Sequence, residues 1–500
     1  MSRRLSVFAI VIVLLFAAIA AQAVNIQFFR APGLNASILN PRNSQSNTQY
    51  PRGEIVAADG TVLAKSVPAT KGYYPYTRVY PLGALTSGLV GFASPFYGTW
   101  ALEAQYNQYL IAHAQPPQSL AQVLAPTSAA DSISITLQPS LQRVAAKALA
   151  GRNGAAVVLD PRTGAVLAMY ANPTYHPAPF ESSSYTVAAK AWKLDTTNNA
   201  YGFPPLGDLA IQQTFPPGST FKIVTTSAVV AKKPSLFTKS YPVAATIHLP
   251  DSNKTLSNYA FVPCGGDIAQ MLPPSCDQGY ALIGLDLGGN ILAETADSYG
   301  FNSVPPIDLP GAQPSYFPSA ASFVYNKPGL AYSAIGQQNV RATALQMALV
   351  AAAIANVGTI MAPHLLNYVS GPDGSIVKRY QDTPWKSPLT KAQAAQIVPL
   401  MQAVAHAANG TAAGVFPAWA DAGAKTGTAQ VGNAAQNVDD WMIAFAPATN
   451  PTVAVAVVVP YQITSTTGNS VAGPIMRCMV EGALSLQAGL PVSGTATTCP

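Results

Sequence analysis

The stretch TFPPGSTFKIV, Thr214 to Val224, holds Ser219 and Lys222 three residues apart, just behind Pro216-Pro217-Gly218. An apolar-periodic run follows, which places Ser219 at or near a helix N-terminus. Positions i and i+3 of a helix share a face, so Lys222 can bring its amine towards the Ser219 hydroxyl. A serine needs an adjacent base to become a nucleophile, and a lysine serves if burial or a neighbouring charge keeps it neutral. Backbone N–H groups at a helix start lack intrahelical partners, and the N–H of Ser219 is one that could help hold an oxyanion. The spacing alone decides little. Ser375 and Lys378 repeat it in PDGSIVKRY, a turn and a predicted strand, where i and i+3 face opposite ways.

Downstream, AGAKTGTAQVG (Ala422 to Gly432) places Lys425-Thr426-Gly427-Thr428 ahead of two strand-like segments, WMIAFAPA and PTVAVAVVVPYQ. The motif is therefore predicted on a strand. Gly427 removes a side chain where a backbone or ligand can approach. Lys425 supplies positive charge, while Thr426 and Thr428 supply hydroxyls, a set that suits a substrate carboxylate. Between the two motifs lies DIAQMLPPSCDQGYALIGLDLG, with Ser275-Cys276-Asp277.

The surrounding chain fits an exported enzyme. It has 500 residues, of which 49% are hydrophobic and only 10% charged, against roughly 25% in an ordinary soluble protein. Its net charge of +6 is spread thinly, with no basic run dense enough for nucleic acid. Arg3 and Arg4 precede an uncharged run, Val7 to Val24, near the lower limit for a membrane-spanning helix. Basic residues before the run place the N-terminus inside and the rest outside. Ala21-Gln22-Ala23 also reads as a cleavage site, so anchor and signal peptide both remain open. Cys264, Cys276, Cys478 and Cys499 match no metal spacing; two disulfides or buried free thiols are equally compatible with them. His113, His176, His248, His364 and His406 are scattered without ligand spacing.

RGEIVAADGTVLAKS predicts two short strands around Asp59-Gly60, and Tyr97 to Ala114 predicts a helix. QPPQSLAQVLAPTSAADS reads as a linker, and SISITLQPSLQRVAAKALAG as a strand and then a helix with Pro139 near its start. Ala155 to Pro173 predicts a hairpin around Asp160-Pro161-Arg162-Thr163-Gly164. Gln278 to Ser298 and Thr343 to Gly358 are apolar-periodic, the latter stopped by Gly358. Glu103 is expected as a helix-face charge. Asp439 and Asp440 are expected as charges at the start of a strand, and Trp441 as packing beneath it.

Ser-x-x-Lys with a distant Lys-Thr-Gly is the motif order of penicillin-binding proteins and serine β-lactamases. RGEIVAADGTVLA, VYPLGALTSGLVGFASPFYGTWALEAQYNQYL, AAVVLDPRTGAVLAM, PPGSTFKI, IGQQNVRATALQMALVAAAIANVG and AKTGTAQ occur in the expected order. Over most of its length the chain resembles a class B, monofunctional penicillin-binding protein. The resemblance implies an α/β (α+β) architecture: a membrane anchor or signal peptide (1–24), a β-rich pedestal domain (25–151) and a transpeptidase domain (152–490), then a tail (491–500). The transpeptidase domain is expected to have a central antiparallel sheet flanked by helices. Ser219 is implied as the acylated nucleophile and Lys222 as its base. Lys425, Thr426 and Thr428 are implied to orient the substrate carboxylate, and the N–H groups of Ser219 and Thr428 to form the oxyanion hole.

The implied substrate is a peptidoglycan stem peptide ending in D-Ala-D-Ala, with β-lactams as mimics and no metal or organic cofactor. A membrane location with the catalytic part outside is implied, and a polytopic glycan polymerase is an implied partner. One position departs from the pattern. The family's Ser-x-Asn is absent, and Asp277 stands where the asparagine is expected. Ser275 remains available to shuttle a proton. An ionised aspartate accepts hydrogen bonds but donates none, and it favours the ammonium form of Lys222. Three outcomes are open: an active transpeptidase that tolerates Asp277, a weak or inactive relative serving as scaffold or sensor, or a hydrolase (D,D-carboxypeptidase or β-lactamase).

Overall fold

Helix α1 (Arg3–Val24) follows the uncharged run, is exposed over residues 10–22, and is long and apolar enough to cross a membrane. The computed structural model describes residues 3–30, 50–70, 74–114, 128–431, 437–490 and 492. Most of the linker and Cys499 lie outside that set.

Strands β1 (Ile55–Val56), β2 (Val62–Pro68) and β3 (Tyr76–Val79) form an antiparallel meander, with the turn at Asp59-Gly60 where the sequence puts it. Strand β4 (Ser132–Ile135) pairs parallel with β1 and leads into α2 (Pro139–Ala148), with Pro139 in its first turn. Then come the hairpin β5 (Gly154–Leu159) and β6 (Val166–Asn172), and helices α3 (Lys222–Lys232), α4 (Asp277–Leu287) and α5 (Ala344–Ala355). Strands β7 (Leu366–Ser370) and β8 (Ile376–Arg379) do not join the sheet of their sequence neighbours. They extend the N-terminal sheet, whose order is β8-β7-β4-β1-β2-β3. Helix α6 (Lys391–His406), strands β9 (Gly423–Val431), β10 (Asn437–Ala446) and β11 (Val453–Ile463), and helix α7 (Ala472–Gln487) complete the chain.

The second sheet has the order β6-β5-β11-β10-β9, antiparallel throughout. Helix α5, every residue of it buried, packs against β11, β10 and β5. Helices α2 and α7 pack on each other and on the same sheet. Residues Val453 to Pro460 of β11 are all buried, so helices cover both faces and this strand reads as a continuous apolar run. The edge strand β9, which carries Lys-Thr-Gly, packs against α6 and the turn Gly218–Phe221.

Two predicted helices are broken. Tyr97 to Ala114 becomes the short helices Ala101–Gln105 and Asn107–Leu110, with Ala101 at φ 51° and a break at Tyr106. Gln278 to Ser298 is interrupted at Gly288, whose φ of 82° no helix interior accepts.

Glu103 is no helix-face charge. Its side chain is fully buried, taking Arg52 Nη2 on Oε2 and Arg78 Nε on Oε1, each at 2.7 Å. Burial alone would raise its pKa, but the Arg78 and Arg52 charges hold it below the ordinary value. The group joins the meander (Arg52, Arg78) to the short helix (Glu103, Asn107). Removing one partner leaves uncompensated buried guanidinium charge. Glu103→Ala is therefore expected to lower unfolding stability by about 3–5 kcal/mol, read by urea denaturation at neutral pH. A loss near zero would show that the cluster contributes nothing net.

Candidate active site

Ser219 lies in a single 3-10 turn, Gly218–Phe221, directly before α3, so the expected helix start is present and Lys222 opens α3. Close packing fixes the turn. Gly218 has φ 52° and donates its N–H to Gly336 O at 3.0 Å. A Cβ on Gly336 would sit 2.1 Å from Gly218 O, so only glycine fits there. Trp441 of β10, fully buried, donates its indole N–H to Pro216 O at 2.9 Å. The expectation that Trp441 packs beneath the strand is met, and the residue also clamps the loop before Ser219.

Gly427 has the same kind of reason. A Cβ there would meet Pro217 O at 2.8 Å, Thr220 Cγ2 at 3.0 Å and Trp441 Cβ at 3.1 Å. The missing side chain lets β9 lie against the Ser219 turn, so here the approaching group is backbone.

Ser275-Cys276-Asp277 arrives from a third direction. Ser275 has φ 61°, outside the usual region for a side-chain-bearing residue, and Asp277 is the first residue of α4. A disulfide between Cys276 and Cys264 ties the motif to the strand Cys264–Gly266. Gln278 ties it again, donating Nε2–H to Cys264 O and Pro242 O while its backbone N–H goes to Asn258 Oδ1. Of the other two cysteines, Cys478 is buried in α7 and Cys499 lies outside the described residues.

The three segments converge on one hydrogen-bonded cluster. Lys222 Nζ donates to Asp277 Oδ1 at 2.6 Å, Ser275 O at 2.7 Å and Ser275 Oγ at 3.2 Å. Lys425 Nζ donates to the same Ser275 Oγ at 2.8 Å and to Thr426 O at 3.0 Å. Ser219 Oγ donates to Asp277 Oδ1 at 3.4 Å. Asp277 Oδ1 thus takes both the Ser219 hydroxyl and the Lys222 ammonium, and Ser275 Oγ lies between the two lysines. Thr426 Oγ1 donates to Thr411 Oγ1 at 2.6 Å, and Thr428 Oγ1 accepts from Gly468 N at 3.0 Å. The repeat pair fares as expected: Lys378 lies in β8, and the Ser375 hydroxyl donates to Asp373 in the exposed turn before it.

Both lysines are wholly buried. Burial lowers the Lys222 pKa, the Asp277 charge opposes this, and the net direction is downward. Lys425 is pushed well below its ordinary value, by burial first and then by the Lys222 charge. A low-dielectric site with two amines and one carboxylate cannot hold both amines charged cheaply. The chemistry within reach is a serine hydroxyl with a nearby amine of lowered basicity, a second amine, and a hydroxyl bridging the two.

Asp439 and Asp440 are not exposed charges at a strand start. Both are buried in β10, with burial raising their pKa to about 7 and about 6. Thr411 and the loop at Gly468 that packs on Gly427 carry no signal in the sequence. The Cys264–Cys276 bond realises one of the disulfides that the sequence left open.

The penicillin binding protein transpeptidase domain matches residues 154–481, and the penicillin binding protein A dimerisation domain matches residues 52–128. The chain is 33% identical over 504 residues to peptidoglycan D,D-transpeptidase PbpA of Mycobacterium tuberculosis, covering 96% of this chain and 98% of that protein. It is 30% identical over 364 residues to peptidoglycan D,D-transpeptidase MrdA of Escherichia coli, covering 67% of this chain and 55% of that protein. The crystal structure of PBPA from M. tuberculosis superposes with a TM-score of 0.77 at 32% identity, over 87% of this chain and all of that one. The penicillin G acyl-enzyme complex of the M. tuberculosis protein gives 0.78 at 31%, over 87% of this chain and all of that one.

The contact at Gly427 can be tested by itself. Gly427→Ala is expected to cost about 1–3 kcal/mol, as overpacking does, in urea denaturation. An unchanged midpoint would mean that β9 does not need this approach to the Ser219 turn.

Proposed function

The chain belongs to the penicillin-binding protein transpeptidase family, and from that premise we propose that it cross-links peptidoglycan stem peptides through an acyl-enzyme on Ser219. The observation that supports the residue roles is the convergence of Ser219, Lys222, Ser275, Asp277 and Lys425 in one buried cluster. Ser219 Oγ attacks the carbonyl carbon of the penultimate D-Ala, and its proton passes to the neutral amine of Lys222. The N–H groups of Ser219 and Thr428 hold the oxyanion. Lys425, with Thr426 and Thr428, orients the terminal carboxylate across the backbone at Gly427. The tetrahedral intermediate collapses, the C–N bond breaks, and the leaving D-Ala amine takes a proton through Ser275 Oγ, which both lysines reach. An amine of a neighbouring stem peptide then attacks the ester, gives up its proton, and restores the Ser219 hydroxyl. A β-lactam enters the first half of this cycle and stays on the serine.

Asp277 changes the balance without stopping it. Its charge favours the ammonium form of Lys222, yet burial leaves the Lys222 pKa below its ordinary value. That direction favours an active enzyme over a silent scaffold. At the sequence level we assign residues 1–24 to the anchor, 25–151 to the pedestal, 152–490 to the transpeptidase domain and 491–500 to the tail. Arg3 and Arg4 at the start of α1 favour an orientation with the catalytic part outside the membrane, and the Cys264–Cys276 disulfide suits an oxidising compartment. A single anchor with a pedestal also suits work beside a polytopic glycan polymerase.

Fluorescent penicillin is expected to label the wild type and to leave Ser219→Ala unlabelled. An unlabelled wild type would return the chain to the silent-relative reading. An added acceptor amine should divert the acyl group into a new amide; release as free acid alone would mark a carboxypeptidase. Asp277→Asn removes the charge that raises the Lys222 pKa. The limb where acylation rises with pH should then move to lower pH, giving faster acylation near about pH 7. Slower acylation would instead make Asp277 the adapted residue of this site.

A further inference from the structure

Asp440 lies in β10 opposite Thr428 of β9, fully buried, with no part in the reaction steps described above. Its Oδ2 accepts from Thr466 Oγ1 at 2.6 Å, and Thr428 is its cross-strand neighbour on the same face. Its Oδ1 is buried without a partner. Thr428 Oγ1 accepts from Gly468 N, and Asn469 Nδ2 donates to Thr411 O at 2.8 Å. Thr411 in turn takes the Thr426 hydroxyl. The segment Thr466 to Asn469 therefore reaches both threonines of Lys-Thr-Gly-Thr. It lies so close to the strand that a Cβ on Gly468 would sit 2.5 Å from Gly427 O.

We propose that Asp440 is a positioning residue for the carboxylate-binding strand: its carboxylate, beside Thr428, holds the Thr466 hydroxyl and with it the segment whose Gly468 N–H fixes Thr428, and so sets the donors that face the substrate carboxylate. The inference rests on the transpeptidase reading of Lys425 to Thr428. The ionised carboxylate accepts the Thr466 hydroxyl. Once protonated it must place an O–H where Oδ1 has no acceptor, or turn it onto Thr466, whose own proton is then displaced. Either way the hold on the Thr466 to Asn469 segment weakens, and with it the Gly468 N–H that Thr428 Oγ1 accepts. β9 brings Thr428 to this carboxyl, β11 sets Val459 across from it, and the following loop brings Thr466. The charged neighbour is Asp439, held by Tyr461 N and drawn on by Arg341. Burial places the Asp440 transition at about 6, with the Thr466 bond lowering it.

The test separates binding from chemistry. Stopped-flow acylation by a fluorescent penicillin gives the noncovalent Kd and the acylation rate constant separately across pH. In the wild type, Kd is expected to weaken about threefold to tenfold as pH falls from about 7.5 to about 5. Titration of Lys222 acts on the rate constant instead. Asp440→Asn, uncharged at every pH, should lose the weakening of Kd on acidification. Thr466→Val removes a bond that favours the ionised form, so its Kd transition should move to higher pH. A wild-type Kd that is flat with pH overturns the proposal, as does an Asp440→Asn profile like the wild type's. If Asp440→Asn does not fold, an unmoved transition in Thr466→Val overturns it alone. A wild type that penicillin never acylates overturns the transpeptidase reading itself, a separate result.

Discussion

Two buried lysines share one carboxylate, and the rest of the site depends on that imbalance. Lys222 and Lys425 both reach Ser275 Oγ, while Asp277 Oδ1 is bonded only to Lys222 and Ser219. Both side chains are fully buried, so charge on both is costly and both lose basicity. That loss moves an amine towards use as a general base. An asparagine at 277 would add no charge to this balance. The aspartate adds one, and in doing so ties Lys222 to Ser219 through a shared oxygen.

Such a cluster needs three chain segments held to within a hydrogen bond of one another. The structure achieves this by close backbone contact more than by long side chains. Gly427 admits the Ser219 turn, Gly336 admits Gly218 O, and Gly468 admits the strand beneath it. Trp441 and the Cys264–Cys276 bond act as ties from below and from the side. Behind them, α5 and the sheet form the apolar body that lets these contacts stay short. The N-terminal sheet is joined to that body by β7 and β8, so the two sheets share chain well past the hairpin β5–β6.

Local signals in the sequence carried far. Turn residues placed the hairpin at 160–164, Pro139 placed a helix start, and motif spacing placed Ser219, Lys222 and Lys425. What stayed hidden depended on distant partners. Glu103 sits on a short helix with no sign of two arginines waiting 51 and 25 residues away in the chain. Asp439 and Asp440 look like solvated charges until β9 and the Thr466 loop cover them. The broken helices at Tyr106 and Gly288 needed backbone conformations that apolar periodicity does not report. The pairing of β7 with β4 joins residues more than 200 apart, which no local pattern encodes.

The central claim is that burial keeps Lys222 a weaker base than a free lysine although Asp277 pulls the other way. Carbon-13 NMR titration of the Lys222 side chain, in the wild type and in Asp277→Asn, measures this directly. The account predicts a wild-type pKa below the free-lysine value and a lower one still without the aspartate. A wild-type value at or above that of free lysine, or no change on substitution, would contradict it.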